Sequence, residues 1–161
     1  MNNGKVLIVG GFDAGGGAQS TAELFDPSAN TFTATGSMTK ARAGHVAVPL
    51  NDGRVIVAGG QNSSGTPLLN AEIYDPTTGA FGPLIALNAG RIDAAGERLF
   101  DGRVIVAGGK YPGTGTLDTA EIFDPLLNTF TKVMDPNTGK VVHMTVARWR
   151  AANNYSEANV P

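Results

Sequence analysis

With 161 residues, the chain is long enough to bury a hydrophobic core and has the length of one ordinary domain. Charged residues make up only 16% of it and the formal net charge is −2, so the sequence has no basic stripe to neutralise phosphates and we expect no nucleic-acid partner. The chain has no cysteine, which excludes disulfides, thiolate metal ligands and thiol nucleophiles. Its 22 glycines and 9 prolines favour short strands joined by tight turns.

The first predicted strand is the apolar run from Val6 to Val9, which follows the five residues Met1 to Lys5. This run is far shorter than the apolar stretch of a signal peptide or of a membrane-spanning helix. We therefore expect neither an export signal nor a membrane span in this chain.

Two runs of sequence recur at an offset of 49 residues, which predicts a repeat architecture. The run from Gly4 to Gly11 returns at 53–60 and 102–109, and the run from Ala22 to Pro27 returns at 71–76 and 120–125. The predicted organisation is a single domain of residues 1–161. Its units span approximately 3–36, 37–86 and 87–134, and residues 135–161 hold an insertion and the degenerate start of a fourth unit.

Each unit is predicted to contain four strands, named A to D in chain order. Strand B is an unbroken apolar run, strand C alternates, and strand D begins at a phenylalanine. Strand A is clearest at 45–50, whereas the third strand A at 92–99 contains Glu97 and Arg98 and is expected to be degenerate. We expect the rings of Phe32, Phe81 and Phe130 to pack in the core.

The turns support this strand order. Asp52-Gly53 and Asp101-Gly102 predict two-residue A-to-B hairpins with a positive φ at both central positions. A glycine pair ends each strand B, and no helix-like segment follows it. We therefore interpret the pair as a backbone bend and not as a phosphate-binding loop.

An arginine precedes each strand A: Arg42, Arg91 and, after an insertion of about eight residues, Arg148. A period near 50, four strands, the glycine pair, the aromatic residue and this arginine together resemble bacterial-type kelch repeats, similar to those in the propeller of the galactose oxidase superfamily. The resemblance implies an all-β fold of about three four-stranded blades. Because propellers close with four to eight blades, we expect an incomplete, open propeller.

The B-to-C connections at 12–20, 61–69 and 110–118 differ between the units, whereas the opposite turns agree. Together with the D-to-A connections they form what we call the loop face. The resemblance implies a non-catalytic binding scaffold for a protein or a carbohydrate, secreted or at the cell surface. The candidate ligand-facing residues are Arg42, His45, Arg91, Asp93, Arg148 and Arg150. For the arginines before strand A, we favour bonds to backbone carbonyls that order the D-to-A loops.

Two alternatives remain open. The run Ala147-Arg148-Trp149-Arg150 resembles one found in galactose-oxidase-like enzymes, so the chain is alternatively a fragment or a decayed relative of such an enzyme. That chemistry needs a tyrosine cross-linked to cysteine and histidine ligands to copper, and this sequence has no cysteine and only two histidines. We therefore expect no catalytic residues, no metal and no cofactor. The other alternative is a purely structural segment of a surface protein.

The sequence also raises a hypothesis about assembly. Asn3-Gly4-Lys5 aligns with an A-to-B hairpin, so the first unit is expected to lack strand A and to expose strand B as an open edge. Residues 150–155 are the candidates to fill this edge, as a strand, unless the tail forms a short helix or is disordered. We expect one of two arrangements. Either two copies form a homodimer by exchanging these tails, or the chain is a fragment of a longer propeller whose remainder covers the edge.

Overall fold

The structure, a computed structural model, describes residues 1–148, and these form strands and turns without a helix. The strands build three consecutive antiparallel sheets, so the predicted all-β fold is confirmed. Residues 149–161 lie outside the described part, as do the candidate residue Arg150 and the predicted strand of the tail. Within residues 1–148, no helix is long and apolar enough to cross a membrane.

Sheet 1 has three strands, sheet 3 has the four strands predicted for a unit, and sheet 2 has five because its strand D is divided in two. The strands of sheet 1 are β1 (Val6–Val9), β2 (Ala22–Asp26) and β3 (Thr31–Ala34). Those of sheet 2 are β4 (Val46–Pro49), β5 (Val55–Ala58), β6 (Asn70–Asp75), β7 (Ala80–Phe81) and β8 (Ile85–Ala86). Those of sheet 3 are β9 (Ala95–Arg98), β10 (Val104–Ala107), β13 (Ala120–Asp124) and β14 (Thr129–Lys132). A hairpin of β11 (Lys110–Tyr111) and β12 (Gly115–Thr116) lies between β10 and β13.

The pairing register repeats in all three sheets. In sheet 2, Tyr74 of strand C lies between Val55 of strand B and Phe81 of strand D. The equivalent residues of sheets 1 and 3 pair in the same way. Strand D of sheet 2 is interrupted after Phe81, where residues 82–84 separate β7 from β8, because Pro83 has no N–H for the ladder.

The A-to-B turns differ from the prediction. Leu50 and Arg54 close the hairpin, with Leu50 N donating to Arg54 O at 2.8 Å and Gly53 N donating to Leu50 O at 3.1 Å. The loop therefore has three residues, and only its glycine has a positive φ, 91° at Gly53. This is a type I turn followed by a left-handed residue. The prediction of a two-residue turn was wrong because an Asp-Gly pair suits both geometries.

The strand A predicted to be degenerate forms a regular strand. β9 pairs with β10 over four residues, Arg98 with Val104 and Glu97 with Ile105 among them. Backbone hydrogen bonds do not depend on side-chain polarity, and Arg98 is exposed at the strand end. The polar residues therefore change the surface of this strand and not its pairing.

Two apolar clusters hold the sheets together. One lies between sheets 1 and 2 and contains Val55, Val57 and Tyr74, packed against residues of β1 and β2. The other lies between sheets 2 and 3. The four residues of β5 are at most 5% exposed, because this strand contributes to both clusters.

The three repeated phenylalanines differ in burial. Phe130 is 8% exposed and packs against sheet 2, whereas Phe32 is 62% exposed. Each ring lies about 5 Å from the aromatic residue of its own strand C. The prediction that all three are core residues is wrong for Phe32, because its face of sheet 1 is not covered by another described sheet.

Candidate functional site

The D-to-A loop between sheets 1 and 2 places Arg42 in the interior, where the residue is 0% exposed. Its Nη1 donates to the carbonyl oxygens of Gly59 (2.8 Å) and Asn70 (3.0 Å). Its Nη2 donates to Asn70 Oδ1 and to Glu72 Oε1, both at 2.9 Å. Glu72, also 0% exposed, accepts two further bonds from the backbone N–H groups of Thr39 and Lys40.

Arg91 repeats this arrangement between sheets 2 and 3. Its Nη1 donates to the carbonyls of Gly108 (2.8 Å) and Thr119 (2.7 Å), and its Nη2 donates to Thr119 Oγ1 at 3.1 Å. Its Nε donates to Glu121 Oε1 at 3.1 Å. Glu121 in turn accepts bonds from the backbone N–H groups of Asn88 and Ala89. A planar guanidinium suits this role because it offers five donors in a fixed arrangement.

The two arginines therefore order the loops through backbone carbonyls, and neither guanidinium reaches the surface. Burial lowers the pKa of Arg42 and of Arg91, and the paired glutamate opposes this shift. The glutamates were not among the sequence candidates. Their signal was present in the repeated Ala-Glu pair near the start of each strand C, where Glu72 and Glu121 each stand between an alanine and an isoleucine.

Arg148 occupies the same backbone position at the end of sheet 3. Gly109 N donates to Arg148 O at 2.7 Å, as Gly11 N donates to Arg42 O and Gly60 N to Arg91 O. The insertion inferred from the sequence is a hairpin in which Met134 pairs with Val141. Arg148 itself is exposed, unlike the other two arginines.

His45 lies beside Arg42 at the start of strand A. Its Nδ1 is buried and has no hydrogen-bond partner among residues 1–148. Burial, together with the nearby positive charge of Arg42, lowers the pKa of His45 to about 4. The side chain is therefore neutral at pH 7 and packs in the loop region.

Asp93 lies in the second D-to-A loop and has a positive φ of 53°. Gly44 holds the equivalent place in the first loop with a φ of 63°, and its carbonyl accepts a 2.8 Å hydrogen bond from Asp93 N. Aspartate tolerates this conformation better than most residues. The structure thus brings Asp93 next to the first D-to-A loop, within reach of Gly44.

The B-to-C loops of sheets 1 and 2 are held by the same local device. Asp13 Oδ1 accepts bonds from Gly15 N (2.9 Å) and Gly17 N (2.8 Å). Asn62, 49 positions later, accepts bonds from the equivalent N–H groups at 3.0 and 2.9 Å. The two loops are also joined, since Ala18 N donates to Ser63 Oγ at 2.9 Å. They form an ordered surface.

The loop face shows no grouping suited to metal chemistry. In the described range 1–148, no three histidine, cysteine, aspartate or glutamate side chains converge on a point where an ion would bind. His143 Nδ1 lies 3.0 Å from Asp118 Oδ1, and these two exposed side chains form a pair and not a cluster of three. The site offers hydrogen-bonding groups and exposed side chains.

Consecutive antiparallel sheets of three to five strands that pack face to face, linked by loops that carry a buried arginine, define a partial β-propeller. The kelch motif matches residues 2–39 and 42–81. These two segments are therefore kelch repeats. Such repeats generally serve as scaffolds for binding.

The fold is similar to that of YjhT, whose solved structure matches with a TM-score of 0.65 at 17% identity. The match covers 87% of this chain and 52% of YjhT, so the chain spans about half the length of that structure. At this identity the similarity supports the fold alone. No curated protein matches the sequence.

Proposed function

We propose that the chain is a non-catalytic binding scaffold and that its loop face binds a protein or a carbohydrate outside the cell. One observation carries the proposal. Phe12, Gln61 and Lys110 hold the same position after the glycine pair of each sheet, yet they offer an aromatic ring, an amide and a cation. An ordered frame with different side chains at equivalent positions is typical of recognition surfaces.

The loops are suited to binding because their conformation is fixed in advance. The turns centred on Asp13 and Asn62 and the bond between Ala18 and Ser63 leave little conformational entropy to lose. Phe12 is 53% exposed at the edge of this frame. An exposed ring can stack on a sugar or fill a pocket of a protein partner.

The predicted ligand-facing residues have two different roles in this proposal. Arg42 and Arg91 are positioning residues, since their side chains hold the loops from inside the molecule. Asp93 lies at the junction of the two D-to-A loops and is the candidate for direct contact. Arg148 is exposed at the end of sheet 3.

A carbohydrate array and affinity capture from the source, followed by titration of each hit with the purified 161-residue chain, test the proposal. Saturable binding should weaken at least tenfold in Phe12→Ala or Lys110→Ala. Arg54→Ala, in an A-to-B turn on the opposite side, is the control and should bind normally. Absence of saturable binding to every carbohydrate and captured protein would contradict the proposal and support the structural-segment alternative.

The non-catalytic part of the proposal has its own test. Copper is titrated into the purified chain while the optical spectrum is recorded. We expect no stoichiometric band of a copper-radical centre, because the sequence has no cysteine for the cross-link. Such a band would overturn this part and support the relationship to a galactose-oxidase-like enzyme.

A further inference from the structure

Sheet 1 carries a cavity of about 340 Å³ on the face that is turned away from sheet 2. Three of its lining residues are Gly10, Thr21 and Glu23. These residues lie 49 positions before Gly59, Asn70 and Glu72, which hold Arg42 in sheet 2. They lie 98 positions before Gly108, Thr119 and Glu121, which hold Arg91 in sheet 3. We call this cavity the arginine socket.

The backbone of the socket has the geometry of the two occupied sites. Gly10 N donates to Thr21 O at 3.0 Å, as Gly108 N donates to Thr119 O at 3.0 Å. Thr21 also supplies a hydroxyl group where Thr119 Oγ1 accepts a bond from Arg91. The socket therefore presents two carbonyls, a hydroxyl and a carboxylate, which are the acceptors that a guanidinium uses in this fold.

Glu23 differs from its counterparts in one respect. Glu72 and Glu121 are each 0% exposed and paired with an arginine, whereas Glu23 is exposed. Among residues 1–148, no side chain forms a hydrogen bond or an ion pair with the Glu23 carboxylate. Within the described residues, the socket thus presents a carboxylate without a partner on the surface of sheet 1.

Arg148 is the complementary group at the other end of the chain. Its carbonyl is fixed by Gly109 N just as those of Arg42 and Arg91 are fixed by their glycines. Its side chain is exposed and has no hydrogen bond or ion pair with any described residue. Arg42 follows sheet 1 and reaches into sheet 2, and Arg91 follows sheet 2 and reaches into sheet 3. An arginine at this position therefore binds the next sheet along the chain.

The apolar surfaces around these two groups match as well. Val6 and Ile8 are each 48% exposed on the socket side of sheet 1. Their counterparts Val104 and Val106 are 0% and 1% exposed, because sheet 2 covers them. Ile105 lies on the outer side of sheet 3 and is the counterpart of Ile56 in sheet 2. Ile56 is buried because it packs against sheet 3.

We propose that the arginine socket receives Arg148 of a second copy of this chain, so that sheet 1 of one copy packs on sheet 3 of the other. The contact repeats the interface that already joins the three sheets within one chain, and it pairs the Glu23 carboxylate of one copy with the Arg148 guanidinium of the other. Two copies with three sheets each form two such contacts. Head-to-tail contacts that close in this way give a twofold ring of six sheets.

Sedimentation equilibrium of the 161-residue chain from nanomolar to high micromolar concentration tests this assembly. We expect a mass near twice the monomer mass of 16.6 kDa at micromolar concentration. Arg148→Ala and Glu23→Ala should each weaken association at least tenfold, because each leaves a charge buried without its partner. Both residues are exposed in the single chain, so neither variant should impair its folding. Arg103→Ala, in an A-to-B turn, removes the same charge elsewhere and should associate normally.

Mixing the two variants tests the direction of the contact. A chain with Glu23→Ala and a chain with Arg148→Ala still form one complete Arg148 to Glu23 contact, so the mixture should associate more tightly than either variant alone. A folded monomer over the whole concentration range would overturn the proposal. Dimers that are insensitive to Arg148→Ala would overturn it too, since a contact between two socket faces does not involve Arg148.

Discussion

Arg42 and Arg91 each connect one loop to the next sheet through four hydrogen bonds, one of which is to a buried glutamate. Burying a charge is costly unless it is paired and its remaining donors are satisfied. At both sites the arginine is paired with a glutamate and its guanidinium donates to backbone carbonyls, although the Nε of Arg42 has no partner among residues 1–148. Removing one member of such a pair leaves the other charge buried alone.

Replacing Arg91 with methionine should therefore destabilise the chain strongly. The change Arg91→Met leaves Glu121 and two carbonyls without their donor and should lower the free energy of unfolding by about 3–5 kcal/mol. Arg103 forms an exposed ion pair with Asp101, so Arg103→Met should change the free energy of unfolding far less than Arg91→Met does. Urea unfolding of both variants gives the comparison. Similar losses would show that the buried network contributes no more than a surface pair.

His45 should make stability depend on pH in a defined range. Its pKa is about 4 in the folded chain and about 6.5 when unfolded, so between these values the unfolded state binds a proton that the folded state does not. Stability is unaffected above pH 6.5 and falls as the pH decreases toward 4, by on the order of 3 kcal/mol in all.

Unfolding midpoints from pH 7.5 to 4 measure this effect. His45→Gln should remove most of the fall, whereas His143→Gln, at an exposed histidine, should keep it. Asp52 and Asp101 have pKa values lowered by Arg54 and Arg103, so their stabilisation is lost only below their ordinary value of 3.8. A fall of equal size in His45→Gln would contradict the assignment to His45.

At the scale of elements, the glycine pair that ends each strand B allows the chain to pass close to the D-to-A loop. Gly59 and Gly60 have φ values of 68° and 81°. A Cβ on Gly60 would lie 2.6 Å from Ala43 O and 3.0 Å from His45 Cβ. Gly60 N donates to Arg91 O at 2.8 Å, so the bend also fixes the second buried arginine.

Gly60→Val should therefore destabilise the chain by more than about 2 kcal/mol, through backbone strain and a clash with Ala43 O. Ser63→Ala is the matched change in the same loop and removes one hydrogen bond, so about 1 kcal/mol should be lost. Thermal unfolding of the two variants measures the difference. Equal tolerance of both changes would mean that the bend at Gly60 is not required.

At the scale of the whole molecule, the position of a sheet in the series decides what its repeated residues do. Phe32 and Phe130 have the same place in the repeat, and each pairs with the phenylalanine of its own strand C. Only Phe130 is covered by the preceding sheet. Equivalent residues thus have different energetic roles in the single chain.

Phe130→Ala should lower the free energy of unfolding by about 3–5 kcal/mol, the usual cost of removing a buried ring. Phe32→Ala should cost less than about 1 kcal/mol when the chain is diluted enough to keep two copies apart, because the ring is 62% exposed. Denaturant unfolding at nanomolar concentration, followed by fluorescence, compares the two. A large loss in Phe32→Ala under these conditions would show that this ring is covered in the monomer.

The sequence by itself determined the repeat, the strand order and the position of the glycine bends, because these depend on local backbone geometry and on hydrophobic pattern, which recur every 49 residues. It also placed the third arginine, Arg148, at the equivalent backbone position after the inserted residues. Only the tertiary structure decided that Arg42 and Arg91 are buried on Glu72 and Glu121, and that the Gly10, Thr21 and Glu23 socket remains exposed. The physical reason is that the burial and ion pairing of a residue depend on whether another sheet covers its face. Equivalent residues of the repeat have the same local sequence pattern whether or not their face is covered.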